Sequence, residues 1–193
     1  MKIKTRAGAA FLALVLAAVV APLTAAGAPA AETPSRTRLV IRVDGCSSCT
    51  LNLARAFSGT NIYWRSRGKK VGSDGKVVFY VPTKRTRGLS FELAVPWQDF
   101  TDAVLNVVTR DVGQAAGESW SAGQAKAATH AFGCWAGTNR ETARLHFHVA
   151  EFAFNDGKST GAVAWASPGL KSLKPEVRTW HGSLGNQEIF YCS

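Results

Sequence analysis

The sequence lacks the short motifs by which many catalytic sites are recognised. The patterns H-E-x-x-H and G-x-G-x-x-G and the phosphate-binding P-loop are all missing; each would hold a metal or a phosphate at a defined spacing. The 13 acidic residues occur singly, and there are only four histidines. Because no pair of carboxylates can be nominated for acid–base catalysis, we expect a binding or structural protein rather than an enzyme.

Long apolar runs are also missing beyond the first 30 residues. Within the first 30 residues, Lys2, Lys4 and Arg6 precede an uncharged apolar stretch that is broken by Pro22. This stretch is shorter than the roughly 20 residues of a membrane span. Small residues follow at 28–30, as before a signal-peptidase site. We therefore predict a signal peptide over 1–30, with a retained membrane anchor as the alternative. A flexible segment over 31–37 and a single domain over 38–193 would follow, in a secreted chain without a membrane span.

Acidic residues are few relative to basic ones. The chain carries 23 Lys and Arg against 13 Asp and Glu, a net charge of +10. Such an excess favours contact with anionic material outside the cell, for example a cell-wall polymer. We expect a polyanion of this kind as partner, with no sequence-specific nucleic acid and no cofactor. The oligomeric state stays open.

Cysteine is scarce, with four residues, which in an oxidising compartment are expected to form two disulfides. Three pairings are possible. We favour Cys46–Cys49 together with Cys134–Cys192. In the chain-entropy model the long loop is worth about 4 kcal/mol and the short one about 2 kcal/mol, so the second bridge would contribute most of the stabilisation.

The Cys46-Ser-Ser-Cys49 motif also permits two functional interpretations, a redox couple and a metal clip. The stretch "VIRVDGCSSC" is similar to the strand and loop of heavy-metal-associated domains, a resemblance that implies Cu(I) bound by two thiolates. The methionine of that family's Gly-Met-x-Cys-x-x-Cys loop is missing, since Gly45 directly precedes Cys46. We predict a disulfide that closes a tight turn, with redox or metal chemistry as the alternative.

Alternating apolar and polar residues dominate the rest of the chain and predict strands. They occur in "TRLVIRVDG", "LSFELAVP", "TARLHFHVAEFAF" and "GAVAWAS", and further strands are expected at "TLNLARAF", "EVRTW" and "EIFYC". The segments "NIYWRSRGKKV" and "KVVFYVP" flank the turn residues 72–75 and predict a hairpin. A second turn is expected at 155–157.

One helix is predicted over "SAGQAKAATHAF", with a capping box formed by Ser121 and Gln124 and an end at Gly133. The segment "FTDAVLNVVTRDVG" fits either a helix or a strand. Together these patterns predict a mostly β protein, a β-sandwich-like single domain with one short helix.

His146 and His148 are two residues apart on a predicted strand, so both imidazoles would project from one face and could reach a single Zn²⁺ or Cu²⁺. Nothing in the sequence nominates a third ligand, although His130 and His181 remain. We therefore expect solvent-facing histidines and assign no metal ligand.

Basic residues are concentrated in the predicted hairpin and the loop after it, where only Asp74 opposes them. Such a surface could hold an anionic polymer through multiple salt-sensitive contacts, or it could protect an exposed strand edge from aggregation. The residues assigned to polyanion binding are Arg65, Arg67, Lys69, Lys70, Lys84, Arg85 and Arg87.

The hairpin sequence "VGSDGKVVFYVP" and the continuation "TKRTRGLSFELAVPW" resemble hairpins of prealbumin-like and carboxypeptidase-regulatory-like extracellular domains. With "GCSSCT", "CWAGT" and the terminal "YCS", the whole chain is similar to small secreted actinobacterial proteins that have no assigned activity. These resemblances imply export, disulfides and a β fold, and they bring no functional residues. We therefore predict a secreted, non-catalytic binding or structural protein. The alternative is an extracellular metal-binding or redox protein that uses the CSSC motif.

Overall fold

The computed structural model describes residues 32–56, 63–96, 104–153 and 160–178, together with residue 187. Within them the chain is mostly β, with one α-helix (α1) and one 3-10 helix. No helix of the described residues is long and apolar enough to cross a bilayer. The strands are β1 (Arg36–Asp44), β2 (Thr50–Ala56), β3 (Tyr63–Arg65), β4 (Lys69–Lys70), β5 (Lys76–Pro82), β6 (Ser90–Ala94), β7 (Val104–Asn106), β8 (Arg110–Asp111), β9 (His130–Trp135), β10 (Thr142–Ala153), β11 (Thr160–Ala166) and β12 (Ser172–Arg178); the helices are the 3-10 helix (Thr83–Arg85) and α1 (Ala122–Ala127).

The first sheet has the strand order β11-β10-β1-β5. Its central pair, β1 and β10, is parallel, and the outer strands are antiparallel to their neighbours. The predicted alternation is confirmed in both central strands, since Leu39, Ile41 and Val43 of β1 and Leu145 and Phe147 of β10 are buried. Every second residue of these strands therefore faces away from the main core.

The second sheet has the order β3-β2-β6-β7, with β4 also paired to β2. Its apolar side chains share one buried cluster with those of the first sheet, and the rings of Phe91 and Phe147 lie 4.9 Å apart across it. A third sheet, β12-β9-β8, and α1 add a smaller cluster around Trp120 and Trp165. The predicted β-sandwich-like domain with one short helix is confirmed.

The predicted hairpin around residues 72–75 is wrong. Lys69–Lys70 pairs with β2 in the second sheet, while Lys76–Pro82 pairs with β1 in the first. The turn itself forms, since the Gly75 amide donates to the Gly72 carbonyl at 2.9 Å, but it carries the chain from one sheet to the other. The strand before the turn and the strand after it therefore form ladders with different partners and not with each other.

The predicted helix starts correctly and ends too late. Ser121 and Gln124 form the expected capping box, but Ala128 is extended (ψ 132°) and α1 stops at Ala127. Gly133 is not a helix terminator; it lies inside β9, which pairs with β12. The undecided segment contains β7 and β8 in its described part, so cross-strand pairing decides residues that local preference leaves open.

Strand β1 starts at Arg36, within the segment predicted to be flexible, and Thr37 is buried there with hydrogen bonds to Thr83 and to the Arg140 carbonyl. The predicted turn at 155–157 and the strand "EIFYC" lie outside the described residues, apart from the isolated bridge residue Gln187 that precedes that strand.

Candidate metal centre

The parallel pairing of β1 with β10 brings three potential metal ligands together. Asp44 is the last residue of β1, and in the register it lies opposite His148, while Arg42 lies opposite His146. All four side chains project from the face that points away from the main core, because they alternate with the buried residues of the same strands. The polar faces of β1 and β10 thus form one site, through a contact between residues about 100 positions apart.

The distances within the cluster are short. His146 Nε2 donates to Asp44 Oδ2 at 2.6 Å, and His148 Nδ1 lies 3.9 Å from the same oxygen. One ligand atom from each of the three side chains can be chosen so that all lie within 4.8 Å of one another. Their side chains are 30 to 36% exposed, so the site opens to solvent at the end of β1 instead of being enclosed.

A neighbouring guanidinium keeps the carboxylate ionised. Arg42 Nε donates to Asp44 Oδ1 at 2.8 Å, and this hydrogen bond, assisted by the one from His146, lowers the pKa of Asp44 despite the opposing effect of partial burial. Arg42 engages Oδ1 and leaves Oδ2 facing the histidines. The carboxylate therefore presents one oxygen to the cluster in its charged form, as a metal ligand must.

His148 is held in its neutral form and in a fixed plane. Burial lowers its pKa, and the nearby His146 lowers it further. Its ring stacks on Trp165 with 5.4 Å between centroids and 22° between planes, while Trp165 itself is buried and contacts Trp120 edge-on. A neutral imidazole against a rigid aromatic wall is a preorganised nitrogen donor, because the lone pair is free and little rotamer freedom remains to be lost.

The residue after Asp44 lies so close to the backbone of β10 that it must be glycine. Gly45 has φ +87°, and a Cβ there would lie 2.1 Å from the carbonyl oxygen of Val149. The next residue, Cys46, is joined to Cys49 by a disulfide, and both are buried. The predicted staple is thus present, and it anchors the turn on which Asp44 depends.

The other predicted disulfide is described in part. Cys134 is disulfide-bonded, and its predicted partner Cys192 lies outside the described residues. Within the described chain there is no free cysteine. As disulfides, Cys46 and Cys49 do not offer the thiolates that the metal-clip interpretation of the CSSC motif requires.

The donor set of two imidazole nitrogens and one carboxylate oxygen fits a borderline divalent ion. Zn²⁺ takes His and Asp ligands at about 2.0–2.2 Å, which places two ligands of a tetrahedral ion about 3.4 Å apart. The observed separations bracket this value, so small side-chain rotations suffice to close the site. Three protein ligands leave one position open, the arrangement found where zinc also holds water or another small ligand.

The seven predicted polyanion-binding residues lie on β3, on β4 and the segment before it, and on the 3-10 helix and the segment after it. Arg65 Nε lies 2.6 Å from Oε2 of the fully buried Glu92, and Lys69 donates to the Val78 carbonyl at 2.7 Å and lies over the Phe79 ring. Two of the seven cations are therefore already engaged by groups of the protein, although both side chains are exposed. Arg67 and Lys70, together with Lys84, Arg85 and Arg87, are exposed.

Lys84 and Arg85 belong to the 3-10 helix, which is separated from β3 and β4 by the whole of β5. Lys84 and Arg87 line a cavity of about 670 Å³ together with Thr33, Thr86, Thr138 and Asn139 among others. The predicted hairpin does not join these two groups of residues, since β4 and β5 belong to different sheets. Arg87 nevertheless lies beside the second sheet, where its carbonyl accepts from Arg55 Nε of β2 at 3.0 Å.

Asp44 is the functional residue that the sequence did not reveal. It alternates with Arg42 on the polar side of β1, which marks it as outward-facing, but the partner strand of β1 cannot be read from local patterns. Of the other two histidines, His130 pairs with Glu176, and His181 lies outside the described residues.

Comparison with known proteins gives no information about function, so the functional inference rests on the geometry of this site. No protein-family model, curated protein or solved structure matches the chain.

Proposed function

We propose that this protein is an exported metal-binding protein that holds Zn²⁺ or Cu²⁺ through Asp44, His146 and His148. The observation that carries the proposal is the convergence of three ligand atoms within 4.8 Å at the end of the central strand pair. Imidazole suits both ions, and Cu²⁺ is favoured over Zn²⁺ at a given nitrogen and oxygen site. Export, a signal peptide and a non-catalytic role belong to the same proposal.

The electrostatics of the site suit a divalent ion, which needs an ionised carboxylate and a neutral imidazole as ligands. The pKa of Asp44 is lowered and that of His148 is also lowered, so one ligand is ionised and another is neutral without loss of a proton. The hydrogen bond between His146 and Asp44 occupies the position that the ion would take. An ion that replaces this hydrogen bond is attracted by the charge of the carboxylate and forms a bond to each imidazole ring.

Calorimetric titration of the exported chain with ZnCl₂ and CuCl₂ tests this proposal. We expect one equivalent to bind, and Asp44→Asn, His146→Ala and His148→Ala each to weaken binding by about tenfold or more, since each removes a ligand. His130→Ala and Asp74→Asn are matched controls that remove the same groups elsewhere. Equal losses in the controls, or unaltered binding in the double variant His146→Ala/His148→Ala, would contradict the proposal.

The CSSC alternative is separated by a second variant. If thiolates bound the metal, Cys46→Ser/Cys49→Ser would abolish binding. On our proposal this variant keeps one equivalent of bound metal with reduced affinity, because only the turn behind Asp44 is loosened. Counting thiols in denatured protein, before and after reduction, checks that Cys46 and Cys49 are oxidised in the exported chain.

A further inference from the structure

The face of the first sheet that carries the candidate metal site also concentrates positive charge on interior strands. The face of β5, β1 and β10 that points away from the main core carries five exposed cations around the exposed Tyr80; we call it the basic sheet face. Tyr80 is 59% exposed. The cations are Arg36, Arg38, Arg42, Lys76 and Arg144.

The strand register places these side chains next to one another. Arg38 lies opposite Tyr80 of β5 on one side and Thr142 of β10 on the other, and Arg42 lies opposite Lys76. Arg144 lies opposite Val40. Directly opposed residues have their Cβ atoms about 5 Å apart, so the cations and the tyrosine form one continuous surface across three strands.

Neutralisation of this charge within the protein is incomplete. Arg42 pairs with Asp44 at 2.8 Å and Lys76 with Asp74 at 3.3 Å, both at strand ends. Among the residues that the structure describes, neither Arg38 nor Arg144 is within ion-pair distance of a carboxylate. The centre of the face thus keeps uncompensated guanidinium groups, which bind sulfate, phosphate and carboxylate groups through paired hydrogen bonds.

Protection of a sheet edge does not explain the arrangement. Only β5 is an edge strand, whereas β1 and β10 are interior strands of the sheet and have no free edge to protect. Cations that are unnecessary at an edge and unpaired at the centre of the face indicate a binding surface.

We infer that the basic sheet face binds an anionic glycan, a sugar polymer bearing sulfate, phosphate or carboxylate groups. The guanidinium groups contact the charges, and Tyr80 stacks against a sugar ring. A single-stranded nucleic acid would need several exposed aromatic side chains for successive bases, and on the basic sheet face Tyr80 is the one exposed aromatic residue. A duplex would need a helix or ribbon that enters a groove, and α1 has six residues.

Heparin, a sulfated glycan, is the probe, and two double variants with the same net charge are compared. We expect Arg38→Gln/Arg144→Gln to elute from a heparin column at clearly lower salt than Lys84→Gln/Arg85→Gln, which removes two cations from the 3-10 helix. In titrations at several salt concentrations, the first variant should lose about two units from the slope of log affinity against log salt. Arg42 is left unchanged because it contacts Asp44, so metal binding is not disturbed.

Equal losses in the two variants would overturn the inference, because binding would then follow net charge alone. A greater loss in Lys84→Gln/Arg85→Gln would overturn it too, since it would move the contact to the 3-10 helix.

Tyr80→Ser separates ring stacking from charge. It should weaken heparin binding about two- to tenfold and leave binding of inorganic polyphosphate, which has no ring, unaltered. An equal loss with both polymers would contradict the stacking contact. Tighter binding of a single-stranded oligodeoxynucleotide than of a heparin fragment of equal charge would overturn the choice of a glycan.

Discussion

At the scale of single residues, Glu92 is the most unusual side chain of the second sheet. It is fully buried in β6, between Asn52 of β2 and Asn106 of β7 in the strand register. Arg65 is the charge partner of Glu92, with Arg65 Nε 2.6 Å from Glu92 Oε2 but without the angles of a hydrogen bond. Oε1 of Glu92 has no hydrogen-bond partner among the described residues. Burial raises the pKa of Glu92, and the attraction of Arg65 offsets this only in part.

This pKa shift predicts a pH-dependent stability. Because the folded-state pKa of Glu92 lies above its ordinary value of 4.5, the folded protein holds the proton more tightly than the unfolded chain. The stability that the tighter-held proton of Glu92 contributes is therefore complete below pH 4.5, and it is lost as the pH rises through the raised pKa. We expect the free energy of unfolding of the wild type, relative to Glu92→Gln, to fall over this range in urea titrations.

Glu151→Gln, an exposed carboxylate on β10, is the control for removing one negative charge. A stability difference between wild type and Glu92→Gln that instead grew with pH would show that the ion pair with Arg65 outweighs burial.

At the scale of elements, α1 is short and depends on its cap. Ser121 Oγ accepts from the Gln124 amide at 3.3 Å, and Gln124 Oε1 accepts from the Ser121 amide at 2.7 Å. Ala125 and Ala128 in and after this helix belong to the cluster that also contains Trp165. The cap therefore supports the wall against which His148 stacks.

Ser121→Ala should lower the free energy of unfolding by about 1 kcal/mol, because it leaves an amide of the first turn without its acceptor. Ser121→Asp should retain most of the stability, since Asp is an equally good cap. The exposed Ser119 supplies the control Ser119→Ala, expected to be neutral. Chemical denaturation measures all three, and an equal effect of Ser119→Ala would contradict the role of the cap.

At the scale of the whole molecule, the proposed metal ligands lie on the two central strands of the first sheet. An ion that binds only the folded protein stabilises it by about 2.7 kcal/mol when its free concentration is a hundred times Kd. For a domain of this size that corresponds to a rise in Tm of roughly 5 to 10 °C. Thermal melts with increasing Zn²⁺ should show it.

Two comparisons make this thermal prediction specific. His146→Ala/His148→Ala should melt at the same temperature with and without Zn²⁺, and Mg²⁺, which prefers oxygen ligands, should leave the wild-type Tm unaltered. A Zn²⁺-induced rise of the same size in the double variant would mean that the ion stabilises the fold from another position.

Local patterns were sufficient for several of the elements and for part of the site. Period-two alternation predicted β1 and β10 with their buried faces, and the S-x-x-Q pattern predicted the start of α1. His146 and His148 were correctly placed on one strand face. The missing ligand and the partner of each strand could not be predicted, because pairing between distant segments depends on which backbone groups compete best for one another.

What the sequence by itself determined is therefore local: strand periodicity, the helix cap, the short disulfide between Cys46 and Cys49, and the excess of positive charge. Only the tertiary structure decided that residues 72–75 connect two sheets, that Asp44 meets two histidines of β10, and that Arg38 and Arg144 share one face. The physical reason is that side-chain direction follows from the alternating backbone of a single strand, whereas proximity follows from the parallel pairing of β1 with β10.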